Sequence, residues 1–277
     1  MKTHRSRVTY SLSWSTVMLS TLRSIWIWFA TVSLIVLWLP LLALIRAFDR
    51  DPVHHRTGRW FRRLGVAITR VNPLWRLHVS GERIADPRRP YIVVSNHQSH
   101  ADIPLISHLP WEMKWLAKIE LFRMPVVGWM LRLAGDIPVD RADRRQGVAV
   151  LATASSYLRR HCSVMFFPEG TRSPDGRVYR FNEGAFRLAI KLGLPILPLA
   201  VEGSYNCLPK HSWKFGKPAD IFLEVLPPVE TSHLKPENAA TLCETVRHMI
   251  IRRIAAWRGV PPEQVDALAQ QASAVPT

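Results

Sequence analysis

Hydrophobic and polar positions divide the chain into two unlike stretches. Residues 25–45 read IWIWFATVSLIVLWLPLLALI, without a single charge. At a rise of about 1.5 Å per residue, a helix of this length crosses a hydrocarbon core of about 30 Å. Trp26 and Trp28 sit near one end, as interfacial anchors do, and Arg23 and Arg46 bracket the run. A spanning helix is expected. A re-entrant or interfacial hairpin is the alternative, because Pro40 interrupts the run and residues 8–20 are moderately apolar. A cleaved signal peptide is not expected, since the run ends at Arg46 and not at a small-residue cleavage site.

From about Arg59 the pattern changes. Short apolar runs at 75–80, 91–95, 114–117, 163–167, 196–201 and 221–226 predict buried strands. Helical patterns fall between them at 103–108, 126–134, 144–160 and 184–192. Such alternation predicts an α/β fold with helices on both faces of a sheet. A last helix, 239–257, carries an apolar stripe (Val246, Ile250, Ile254, Trp257) and basic positions Arg247, Arg252 and Arg253. The stripe predicts a packed surface helix, with a membrane-binding helix as the alternative. The expected organisation is a membrane-anchoring segment over 1–58, a globular domain over 59–258 and a loose tail over 259–277, rich in Pro, Ala and Gln.

Composition narrows the picture. The chain has 277 residues, 48% hydrophobic and 21% charged, enough for one core with an appendage and too apolar for a disordered chain. Lys and Arg total 37 against 21 acids, a formal charge of +16, which implies an anionic partner: nucleic acid, a membrane surface or a phosphorylated ligand. Cys162, Cys207 and Cys243 are isolated, which suits a reducing compartment and argues against both a disulfide framework and a zinc site. Basic residues are denser after the apolar run (Arg46, Arg50, Arg56, Arg59, Arg62, Arg63) than before it, so the main domain is expected on the cytoplasmic side, although Lys2, Arg5, Arg7 and Arg23 weigh the other way.

Three segments carry candidate chemistry. In the first, strand YIVVS runs into NHQSHAD, and Pro104 suits the first turn of a following helix. Across such a strand–loop–helix turn, Asp102 can fold back beneath His97, fix its tautomer and leave Nε2 free as a general base. The same residues also fit a helix cap beside a loop histidine. A metal site on His97 and His100 lacks a third ligand, and no G-x-S-x-G marks Ser99 as a nucleophile. In the second, SVMFF ends in PEGTRS. Gly170 allows close backbone approach, Thr171 and Ser173 offer hydroxyls, and Arg172 offers a planar fork for phosphate. Glu169 has two roles open to it: binding a substrate hydroxyl, or holding a nearby cation. A β-turn with a surface ion pair reads equally well. In the third, KIELFRMPVVGWMLRLAGDIPVDR places Lys118 and Arg141 near strand ends, where with Arg172 they could meet on one anion.

In this order and spacing NHQSHADIP, KIELFRMPVVGWMLRLAGDIPVDR, FFPEGTRS and LPILPLAV resemble the 1-acyl-glycerol-3-phosphate acyltransferase family, over about residues 59–226. The resemblance implies a mixed β-sheet flanked by helices, with the acyl site at the membrane surface. It implies His97 as general base, Asp102 as its orienting partner, and Glu169, Gly170, Thr171, Arg172, Arg141 and Lys118 as the glycerophosphate site, with Pro198 at a strand end near the acyl-donor pocket. The implied reaction moves an acyl group from acyl-coenzyme A or acyl carrier protein to the sn-2 hydroxyl of 1-acyl-glycerol-3-phosphate, giving phosphatidic acid, with no metal or other cofactor. Its partners would be the two substrates and an anionic membrane. Two rivals stand beside it: the same chemistry on another acceptor, such as a lyso-ornithine lipid or another lysophospholipid, and a catalytically silent lipid-binding membrane protein. Nucleic-acid binding is suggested by charge alone, without a recognisable module.

Overall fold

The computed structural model describes residues 14–140, 146–207, 213–216 and 218–269. Its centre is a seven-stranded sheet built from β1 (Trp75–Gly81), β2 (Ile92–Ser95), β3 (Met113–Lys118), β4 (Ile137–Val139), β5 (Ser163–Phe166), β6 (Ile196–Glu202) and β7 (Ala219–Val225). The strand order is β1-β7-β6-β2-β5-β3-β4. Neighbours run parallel except β6 and β7, so the sheet is mixed. The central strands β2 and β5 are buried at every position, which explains why they read as unbroken apolar runs.

Successive side chains of a strand point to opposite faces, and β2 separates two cores accordingly. Ile92 and Val94 join one cluster with α6 (Gly147–Arg159), α7 (Gly184–Leu192) and α8 (Ala239–Arg258). Val93, and Tyr91 just before the strand, join the other, with Ile106, Trp111 and Trp115. Outside this second core lie α2 (His55–Arg70), α3 (Asp102–Ile106), α4 (Ile119–Arg123) and α5 (Val127–Ala134). Helices therefore cover both faces, as expected.

The apolar run forms one continuous helix, α1 (Trp14–Phe48), which passes through Pro40; no hairpin forms within it. Among the described residues it packs on the domain in two regions. Ile27 packs on Leu74 and Phe215, and Trp28 Nε1 donates to Trp213 O at 2.7 Å. Further along, Leu42 packs on Leu64 of α2 and Met130 of α5, and Trp38 Nε1 donates to Trp60 O at 3.0 Å. From Ile27 to Leu42 is about 22 Å along the helix axis. The side of α1 turned away from the domain exposes Leu37, Leu41, Leu44 and Phe48.

Three features depart from the sequence reading. His55–Arg70 is helical, where only a basic stretch was expected. In α8, Arg247 is fully buried and donates to Tyr179 O at 3.0 Å, so this position is structural and not part of a basic face. The tail expected to be loose is docked as far as Leu268. Val178 donates to Val265 O at 2.9 Å, Ala267 donates to Val178 O at 3.2 Å, and Asp266 pairs with Arg247. Burial of Val265 and Ala267 drives this, and α9 (Pro262–Val265) begins with a proline suited to a first turn. Residues 270–277 lie outside the described residues.

Candidate active site

Topology brings the first two motif segments together. β2 and β5 are parallel neighbours, so the loops leaving their C-terminal ends lie side by side, where α/β sheets build their sites. The loops are bound to each other through His97. Its N–H donates to Glu169 Oε1 at 2.8 Å, its carbonyl accepts from Ser173 N–H at 2.7 Å, and its ring stacks on Phe167 with centroids 4.0 Å apart. Asn96 ties the first loop to β6 on the other side. Its amide donates to Val201 O at 2.8 Å and its oxygen accepts from Val201 N–H at 2.9 Å, taking the place of a ladder pair.

His97 and Asp102 are buried together, with Nδ1 2.7 Å from Asp102 Oδ2. The same carboxylate oxygen accepts from the N–H groups of Gln98 at 2.8 Å and Ser99 at 2.9 Å. Its other oxygen accepts from Ser204 Oγ at 2.5 Å. Asp102 therefore works as an orienting acceptor for the imidazole, and as the first residue of α3 it also favours the helix start. With Nδ1–H directed at a carboxylate, Nε2 is the basic nitrogen, and among the described residues no hydrogen bond to it is found.

His97 lines a cavity of about 500 Å³. Much of its wall is apolar, with Ile35 from α1, Phe61 and Ile68 from α2, and Met130 and Leu131 from α5. Lys118, Thr171 and Arg172 line the same cavity. Lys118, at the end of β3, also pairs with Glu120 at 3.1 Å. Glu169 and Gly170 do not line it. Glu169 stands behind, its second oxygen accepting from Tyr179 N–H at 3.1 Å, so both oxygens hold backbone. Burial pushes its carboxyl up to about 7, against the lowering effect of those two N–H donors. Arg141 lies outside the described residues. Among the described residues, no group of three or more His, Cys, Asp or Glu side chains is arranged to hold a metal ion.

A second buried charge cluster, unmarked in the sequence, forms part of the same wall. Arg62 donates through Nη2 to Asp136 Oδ1, and its guanidinium lies over Trp115 at 5.3 Å. Lys114 Nζ donates to Glu112 Oε1 at 3.0 Å and to Ala134 O at 2.7 Å. Burial pulls the Lys114 ammonium down, but Glu112, Cys162 and Asp136 together outweigh it and hold the group above its ordinary value. Helix α2 crosses this pair at Gly58, where a Cβ would come within 1.9 Å of Glu112 Oε1. A side chain at this position would have to push the Glu112–Lys114 pair aside. Lys114 and Asp136 come from β3 and from the turn before β4, far from α2 in sequence, which is why no local pattern shows the cluster.

Known proteins of similar sequence and fold are acyltransferases. The acyltransferase family model matches residues 76–202, the span holding both loops. A chloroplastic 1-acyl-sn-glycerol-3-phosphate acyltransferase of Brassica napus is 32% identical over 80% of this chain, which spans 62% of that relative's length. The 1-acyl-sn-glycerol-3-phosphate acyltransferase of Pseudomonas aeruginosa is 31% identical over 76% of this chain and 78% of its own. In three dimensions the chain is similar to the crystal structure of the 1-acyl-sn-glycerophosphate acyltransferase PlsC from Thermotoga maritima. The TM-score is 0.73 at 28% identity, covering 87% of this chain and 97% of the other.

Proposed function

The chain belongs to the 1-acyl-sn-glycerol-3-phosphate acyltransferase family, and from that premise we propose that it transfers a fatty acyl group from acyl-coenzyme A or acyl carrier protein to the sn-2 hydroxyl of 1-acyl-glycerol-3-phosphate, with His97 as general base. The observation that carries this reading is the buried His97–Asp102 pair, held at 2.7 Å on the wall of a largely apolar cavity that Arg172 and Lys118 also line. The apolar wall suits an acyl chain, and the two cations suit a phosphate.

The acceptor hydroxyl donates to His97 Nε2. As its oxygen attacks the thioester carbonyl, the proton passes to Nε2, and Asp102 stabilises the imidazolium. The tetrahedral species collapses, the carbon–sulfur bond breaks, and the thiolate takes the proton from Nε2. Histidine returns to its neutral form with phosphatidic acid and free thiol as products. Glu169 acts on this step indirectly, by holding the backbone of His97 and Tyr179.

The site fits a membrane surface. A helix standing across the bilayer would carry Leu74 and Phe215, which grip its N-terminal half, into the hydrocarbon. A helix lying in one leaflet leaves them outside and turns Leu37, Leu41, Leu44 and Phe48 to the lipid. The exposed Arg56, Arg63 and Arg70 of α2, spaced by seven residues, would meet anionic headgroups. The charge asymmetry of the sequence favours the cytoplasmic side.

The test is acyl transfer in vesicles, with lysophosphatidate and either thioester donor, for wild type and His97→Ala. The variant is expected to fold, to sediment with the membrane and to lose at least about 10³-fold in kcat. Full activity in it would end this reading. A panel of lysolipids with and without the phosphate monoester reads the acceptor, and preference for an acceptor lacking it would overturn that assignment.

A further inference from the structure

The Asp102 carboxylate is held in two different ways. Its Oδ2 receives three donors, His97 Nδ1 and the N–H groups of Gln98 and Ser99, all within six residues of one loop. These fix the carboxylate relative to its own loop only. Its Oδ1 receives one donor, the Ser204 hydroxyl, which arrives from beyond the end of β6. We propose that Ser204 is a third member of the constellation, a positioning residue that fixes the Asp102 carboxylate, and through it the His97 ring, to the sheet. The proposal rests on the reading of His97 as general base.

The chain delivers this hydroxyl by a constrained route. β6 ends at Glu202, and Gly203 turns the backbone with φ 86° into a short 3-10 turn, Ser204–Asn206. A Cβ on Gly203 would come within 2.2 Å of Asp220 O on β7, so the turn is pressed against the neighbouring strand. Ser204 is completely buried and does not line the cavity, so it acts on substrate only through Asp102. Its hydroxyl has one proton and two acceptors in range, Asp102 Oδ1 at 2.5 Å and Gln98 Oε1 at 3.5 Å. The shorter, charge-assisted bond takes it.

A further contact of the loop repeats the pattern. Gln98 Nε2 donates to Glu202 Oε2 at 2.9 Å, and Arg258, the last residue of α8, donates to the same oxygen at 2.7 Å. The loop that carries His97 is thus held at Asp102 by Ser204 and at Gln98 by Glu202, two positions of one strand end. Asp102 has no solvent contact, so an oxygen deprived of its donor has nothing to replace it.

A serine that merely satisfies a buried acceptor would affect stability and leave the chemistry of folded molecules unchanged. A positioning serine affects kcat. The experiment compares wild type, Ser204→Ala, Ser204→Thr and His97→Ala as full-length protein in vesicles of phosphatidylethanolamine and phosphatidylglycerol, with lysophosphatidate and acyl-coenzyme A. For Ser204→Ala, kcat per folded molecule is expected to fall about 10- to 100-fold, the worth of one charge-assisted hydrogen bond. Both KM values are expected to stay within about twofold, because Ser204 stands outside the cavity. Ser204→Thr, which keeps the hydroxyl, is expected to recover most of kcat. Wild-type kcat in Ser204→Ala beside an inactive His97→Ala overturns the role of Ser204 and leaves the general base standing. An active His97→Ala overturns the parent reading instead. Equal loss in folded Ala and Thr variants assigns the effect to packing and also overturns the proposal. Should the Thr variant not fold, the downfield proton resonance of His97 Nδ1–H decides: it moves in Ser204→Ala if Ser204 positions the pair, and an unmoved resonance refutes it.

Discussion

Two buried charge clusters share one cavity wall, and they are satisfied in opposite ways. Asp102 accepts four hydrogen bonds, two of them from backbone N–H groups, and presents one paired imidazole to the cavity. The Arg62–Asp136–Glu112–Lys114 cluster balances two cations against two carboxylates, yet among the described residues Arg62 Nε, Glu112 Oε2 and Asp136 Oδ2 find no hydrogen-bond partner. Arg62 Nε and Glu112 Oε2 face each other across 3.9 Å, an ion pair without a hydrogen bond. Full satisfaction fixes one geometry, which a proton transfer needs. Incomplete satisfaction with balanced charge tolerates small displacements, but loss of any one member strands another in a dry interior. On the proposed reading the first cluster serves the chemistry, and the second the seating of α2 on the sheet.

The largest effect that separates them is expected from Asp102→Asn. An amide in this place removes the negative charge that would stabilise the imidazolium, and kcat should fall about 10³-fold or more while the protein stays membrane-bound. Activity within tenfold of wild type would remove Asp102 from the chemistry. The reciprocal substitution, Lys114→Met, removes the cation bonded to buried Glu112 and leaves it only Arg62, 3.9 Å away. It should cost about 3–5 kcal/mol in unfolding by denaturant, with kcat per folded molecule little changed. The double replacement Lys114→Met with Glu112→Leu should recover much of that loss. If the double variant is as unstable as the single one, the cluster is not held by its charges.

A third measurement crosses between the clusters. The Glu169 carboxyl stands at about 7 against an ordinary 4.5, so the folded state binds its proton more tightly than the unfolded chain does. That contribution is complete below pH 4.5 and is lost as pH rises through about 7. The stability of wild type relative to Glu169→Gln should accordingly decline by up to about 3 kcal/mol over that range. A flat difference would show that burial does not govern this group. The smallest effect is expected from Arg172→Ala, an about tenfold rise in KM for the phosphorylated acceptor with kcat nearly kept. An unchanged KM would place the phosphate elsewhere.

What the sequence disclosed follows the range of the interactions. Local patterns show well: the buried runs of β2 and β5 are continuous, and α7 ends where expected, at Leu192 before Gly193. The His97–Asp102 pair also showed, because both partners lie in one loop. The helix α2 did not, because its docking face is Gly58 and Arg62, residues that look like a breaker and a solvated charge until Glu112 and Asp136 arrive from far along the chain. Ser204 was invisible for the same reason, being 102 positions from the carboxylate it bonds. Arg247 and the docked tail were misread through a partner, Asp266, that composition alone placed in a loose segment.

The placement of α1 has a consequence for how such an enzyme is assayed. Ile35 of this helix is at once a wall of the reaction cavity and part of the element whose far side exposes Leu37 and Leu41. With α1 lying in one leaflet, as proposed, a lipid reaching His97 by that route never leaves its monolayer, and its encounter with the catalyst is a collision in two dimensions. The governing concentration is then the mole fraction of acceptor in the surface. Diluting vesicles with buffer at fixed lipid composition should leave the turnover of bound enzyme constant, whereas diluting the acceptor with inert phospholipid should lower it.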